Sequence, residues 1–158
     1  MDVLQEARHL FEMGEMHKAL EAAQVAAERK PKDAEAWWLL ACVNRHIGLV
    51  AASDHAFERA AMLSPARPKP VRVDQETLRK IIDDTIVRLS ADSRRRLGGP
   101  RVKIATLPTA EQIRSGVSPD VLLTRSGSEL VLFQVNLENR SASVAALERL
   151  VRRTLQRA

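Results

Sequence analysis

Shifted by 34 residues, the first part of this chain falls onto itself. Gly14 aligns with Gly48, Ala26 with Ala60, Pro31 with Pro65 and Ala7 with Ala41. A fixed period of this length means one supersecondary unit used twice. Val3, Ala7, Leu10 and Phe11 lie at helical spacing before Gly14, and Ala19, Ala22, Ala23 and Ala26 follow it. Each copy therefore predicts two helices, with a glycine at the turn and a proline closing the unit. Alanines on the second helix let the two helices approach closely. Such a unit cannot bury its apolar face alone and needs a neighbour on each open side. Residues 73–97, with Leu78, Ile81, Ile82, Ile86 and Leu89 on one stripe, are expected to form a single helix that caps the second copy.

The second copy places Trp37, Leu40, Ala41, Gly48, Phe57, Ala60 and Pro65 in one pattern; the first repeats it with Ala7, Leu10, Gly14, Ala19, Ala26 and Pro31, and with Val3 in place of the aromatic. Residues 1–67 thus resemble two tetratricopeptide repeats, 1–33 and 34–67. The resemblance implies helical hairpins whose first helices line a groove for an extended peptide or a helix. The groove positions it implies are Leu4, Arg8, Phe11, Glu12, Trp38, Cys42, Arg45 and His46. An alternative stays open, that Phe11 and Trp38 bury against the chain's own helix over residues 73–97 or a second copy in a homodimer. Trp37 reads as core.

The net charge of +5 is unevenly spread. Residues 1–63 carry 7 basic and 10 acidic side chains, whereas residues 64–158 carry 18 and 10, so −3 stands against +8. The change falls in SPARPKPVRV (64–73), whose three prolines resist helix and central strand, and residues 68–72 read as a proline-rich linker. A single cysteine, Cys42, excludes an internal disulfide and fits a reducing compartment. The acidic, amphipathic start is unlike a signal peptide, and no apolar run approaches the ~20 residues that span a bilayer. A cytoplasmic protein without membrane contact is expected.

Beyond the linker, residues 73–97 predict a helix, Gly98-Gly99-Pro100 a break, and residues 101–108 a strand with Val102, Ile104 and Thr106 on one side. Thr109 with Gln112 is a capping-box pattern that opens a short helix over residues 109–116. Residues 121–137 read as a hairpin turning around residues 125–128, and Ser141 or Ser143 caps a terminal helix. That helix is expected to bury Val144, Leu147, Val151 and Thr154 or Leu155. The predicted class is α+β, with helical hairpins followed by a small antiparallel or mixed sheet packed on helices.

This element order, with LVLFQVNLENRSASVAALERLVRRTL at its end, resembles the minimal zincin-like metallopeptidase family of bacteria across residues 73–158. The family carries His-Glu-x-x-His on its last helix, two imidazoles one turn apart with a carboxylate as general base. Here Arg157 and Ala158 stand where the first His and the Glu belong, and the chain stops before the second His. Residues 68–158 hold no His and no Cys, and His9, His17, His46 and His55 all lie in the repeats without i, i+4 spacing. The resemblance implies a pseudoenzyme domain, with no metal, cofactor or catalytic residue expected. Asp83 and Asp84 read as a solvated face, Cys42 beside His46 as a small buried cysteine rather than a reactive thiol, and Gly98-Gly99-Pro100 lacks the lysine and spacing of a phosphate loop.

Arg94, Arg95, Arg96, Arg149, Arg152 and Arg153 supply a basic surface, joined by Arg101, Lys103 and Arg157. Arginine suits acidic protein partners as well as phosphates. The only aromatic of this half, Phe133, lies mid-strand, which offers nothing for base stacking, and the last helix has no Trp or Phe for a membrane. The expected function is a non-catalytic interaction adaptor, scaffold, regulator or assembly protein. It would dock one partner in the repeat groove and an acidic partner on the basic surface. The rival is a nucleic-acid-associated protein that uses the basic half.

Overall fold

The computed structural model describes residues 1–97 and 102–158; the expected Gly98-Gly99-Pro100 break and Arg101 lie outside the described residues. In chain order the elements are α1 (Val3–Glu12), α2 (Met16–Arg29), α3 (Ala34–Ile47), α4 (Val50–Leu63), α5 (Gln75–Arg88), α6 (Ala91–Arg96), β1 (Val102–Ala105), α7 (Ala110–Arg114), β2 (Leu123–Ser126), β3 (Glu129–Phe133), α8 (Gln134–Asn139) and α9 (Val144–Gln156). They form two units, Met1–Lys69 with Thr109–Pro119 and Pro70–Pro108 with Asp120–Ala158. Among the described residues no helix is long and apolar enough to cross a membrane.

In the first unit, α1 to α4 make two hairpins. Asp2 and Gln5 form a reciprocal capping box at the start of α1, and the Asp33 carboxylate accepts the Glu35 N–H at the start of α3. Gly14 and Gly48 follow α1 and α3 at φ +81° and +91°, the left-handed region where a side chain is strained. Alanines 7, 19, 23, 26, 27, 36, 41, 56 and 60 are all buried, which lets the helix backbones approach and leaves Leu39, Val43 and Phe57 to fill the remaining core. The hydroxyl of Ser53 is fully buried and donates to the Ala41 carbonyl at 2.8 Å, so its burial leaves no polar atom unpaired. Trp37, expected in the core, is only half-buried. Its Nε1 donates to the Pro31 carbonyl at 2.8 Å, and Arg59 stacks 5.1 Å from its ring centroid.

The first unit also takes Thr109–Pro119, the segment between β1 and β2. Thr109 and Gln112 make the anticipated capping box on α7. Ile113 of α7 is buried, with its Cγ2 methyl against Gly14, 3.0 Å from where a Cβ there would stand.

The second unit is an α+β layer. β3 is central, parallel to β1 (Val102↔Leu130 to Ala105↔Phe133) and antiparallel to β2 (Leu123↔Leu132 to Ser126↔Glu129), so the sheet is mixed, in the order β1-β3-β2. Leu130 and Leu132 of β3 join Leu78, Ile81 and Ile82 of α5 and Leu147, Val151 and Leu155 of α9 in one apolar cluster. Several expectations are corrected here. The stripe of α5, read as a cap for the second repeat, is core of this unit. Residues 73–97 are two helices, because the Ser90 hydroxyl accepts the Ser93 N–H and starts α6 anew after an extended Leu89. The second arm of the hairpin ends at Phe133, and Gln134–Asn139 is helical. Ser143 is the cap of α9, while Val144 is exposed rather than packed on the sheet.

Candidate functional site

The face of α1 and α3 carries the groove positions. Trp38 sits edge-on to Phe57, ring centroids 4.9 Å apart, and the Arg67 guanidinium lies 4.5 Å over its ring. Arg67 comes from the segment after α4. Its Nε donates to Glu35 Oε1 at 2.8 Å, and a second nitrogen binds the other carboxylate oxygen. Arg8 adds a longer contact to Glu35 at 3.9 Å. The hydrogen bond from Arg67, and then the charges of Arg67 and Arg8, hold the Glu35 carboxyl below its usual range against the opposing effect of burial. The same pair raises Arg67. Trp38 is therefore fixed in place, with a cation on one face.

Farther along the face, Phe11 stands edge-on to His46 at 5.2 Å, and His46 Nε2 lies 3.1 Å from the Pro119 carbonyl oxygen. Phe11 and Cys42 are buried, 5% and 9% exposed. Phe11 is buried in the core of its own unit, with His46 against its ring. Of the sequence-assigned groove positions, Arg8 and Glu12 are exposed, and Leu4, Trp38, Arg45 and His46 are half-buried.

The basic residues fall on α6 and along α9. Arg94 is exposed on α6, Arg95 pairs with Asp92, and Arg96 reaches Ser93 Oγ and the Gln156 carbonyl, each at 3.1 Å. Arg149 and Arg152 border a groove of 490 Å³ between α5 and α9, which Lys80, Arg88, Asp84 and Glu148 also line. Arg153 lies on the other flank of α9 and borders a separate groove of 470 Å³ beside β2.

No family model, curated protein or solved structure matches the chain. The site accordingly rests on its own residues. Among those described, no three or more His, Cys, Asp and Glu side chains converge as metal ligands would.

The second unit holds a buried polar cluster that sequence reasoning missed. Glu138, 2% exposed, accepts the Val73 N–H at 2.9 Å, Arg72 at 3.1 Å and Gln134 Nε2 at 3.2 Å. Asn136 Nδ2 donates to the Val121 carbonyl at 2.8 Å. These bonds tie the start of α5 and the entry to β2 onto α8, a structural task that leaves the carboxylate no opening to substrate. Glu35 and Arg67 were also missed, since they lie 32 residues apart and Arg67 is the last residue of the second repeat.

Proposed function

We propose that this chain is a non-catalytic protein–protein interaction module, an adaptor, regulator or assembly factor of the cytoplasm. It docks a partner segment on the α1/α3 face through Arg8, Glu12, Trp38 and Arg45. The observation that carries this reading is the Phe57–Trp38–Arg67 stack locked by Glu35. Trp and Arg dominate binding energy at protein interfaces, and a side chain already held in place loses little entropy on binding. The likeness of residues 1–67 to tetratricopeptide repeats supports the same face. Arg157 and Ala158 at the positions of a zincin's His and Glu, with no His or Cys in residues 68–158, support the absence of catalysis.

Charge reversal of two surface positions, Glu12→Arg with Arg45→Glu, tests the reading without touching the core. Cross-linking and mass spectrometry in the native host should lose the principal partner of the wild type, with tryptophan fluorescence unchanged. An unaltered partner set sinks the proposal, and stoichiometric zinc in purified protein overturns its non-catalytic part. The rival nucleic-acid reading through the basic half is tested by a gel shift at physiological salt.

A further inference from the structure

We propose that the groove beside β2 binds an acidic peptide segment with an aliphatic side chain between its carboxylates. The proposal shares with the interaction reading only the idea that the partner is a protein, and it uses a different surface. Leu150, Arg153 and Arg157 recur at i, i+3 and i+7, so they line one flank of α9 while Leu147, Val151 and Leu155 face the core. Arg140, just after α8, also lines the groove and donates to the Asp120 carbonyl at 3.5 Å. Leu122 and Leu123, half-buried and packed against the core, line it as well.

Three arginines and three leucines thus line the groove together with Thr154, and among the described residues no carboxylate does. Among the described residues none of the three arginines has an acidic partner within 4.0 Å. The α5/α9 groove is different, because Asp84 and Glu148 offset its cations. Arginines at the end of α9 do offset its dipole. That accounts for Arg153 and Arg157, yet neither for Arg140, which comes from another element, nor for the leucines. Like charges gathered beside apolar side chains without an internal counter-charge are complementary to an anion that also carries apolar surface. Guanidinium forks match carboxylates in two-pronged fashion. With leucines and no ring to stack on, the groove favours an aliphatic side chain over a nucleotide base.

The test is fluorescence anisotropy of the full chain with a labelled Glu-Asp-Leu-Asp-Glu peptide. Saturable binding is expected, weakened roughly tenfold in Arg153→Glu with Arg157→Glu and roughly fivefold when the peptide's Leu becomes Ser. Because the second change is in the probe, it holds even if the arginine variant folds poorly, which circular dichroism would reveal. Arg149→Glu with Arg152→Glu alters net charge equally on the opposite flank and should leave the affinity within about twofold. Equal losses from both arginine pairs, indifference to the peptide's Leu, or no saturable binding would each overturn the proposal. Tighter binding of a random-sequence DNA oligonucleotide at the same site would do so as well. Glu12→Arg with Arg45→Glu should leave this peptide's affinity unchanged, so failure here and failure of the α1/α3 face are told apart.

Discussion

Glu35 organises the α1/α3 face through charge. Its carboxylate joins Arg67 and Arg8, and its folded pKa lies below the ordinary value. A depressed carboxyl adds stability that is fully present above its unfolded pKa and disappears as pH falls through the folded one. The side chain is 43% exposed, so solvent screening limits the pair to about 0.5–1 kcal/mol. Glu35→Gln should lower stability by that amount in urea melts at pH 7, and the gap from wild type should close at acid pH. A gap that stays constant down to pH 3 would remove the ion pair from the account. At this scale, interactions within one turn were legible in the sequence: Thr109 with Gln112 follows from local hydrogen-bond chemistry, while the cap of α9 was narrowed to Ser141 or Ser143. Arg67 with Glu35 was not, since a fold must first bring distant positions together.

Among the elements, two glycines in the same role have different surroundings. Gly14 and Gly48 both end a helix at positive φ, but a Cβ on Gly14 meets Ile113 while one on Gly48 meets nothing within 4 Å. Gly48→Ala should cost about 1 kcal/mol, the strain of the left-handed backbone alone. Gly14→Ala should cost roughly twice that, and Ile113→Ala should erase the excess in a double-mutant cycle followed by thermal melts. Equal costs for the two glycines would mean that Ile113 yields freely. The hairpins were legible because small apolar residues recur at helical spacing in both copies. α8 was not. Leu130, Leu132, Val135 and Leu137 read as one extended run, and so short an apolar stretch does not separate helix from strand. The polar neighbours decide: Asn136 and Glu138 are buried, and the helical turn lets them reach Val121, Val73 and Arg72.

For the whole molecule, the discontinuous first unit sets the expectations. Trp37 and Trp38 are the only tryptophans, and both belong to this unit, so their fluorescence follows its unfolding alone. A fragment of residues 1–69 lacks Ile113 and Pro119 and should melt at a lower temperature by that signal than the intact chain. Identical midpoints would show that Thr109–Pro119 adds nothing to the unit. Composition marks the passage out of the repeats, where prolines and positive charge begin together. Nothing in residues 109–119 says to which unit they belong, because a capped turn of helix reads the same on any surface and only its tertiary partner assigns it.

That insertion also bears on how the protein is made. Translation delivers α1 to α4 first, yet the residues that complete their unit emerge only after the whole of 70–108 has followed them from the ribosome. Domains generally fold in the order of synthesis, with the N-terminal one finished early. Here α1 to α4 stay open, with His46 and the Gly14 turn uncovered, until Thr109–Pro119 follows them. Nascent chains stalled before residue 109 would present that surface to chaperones, and those in which residues 109–119 have cleared the ribosome would not.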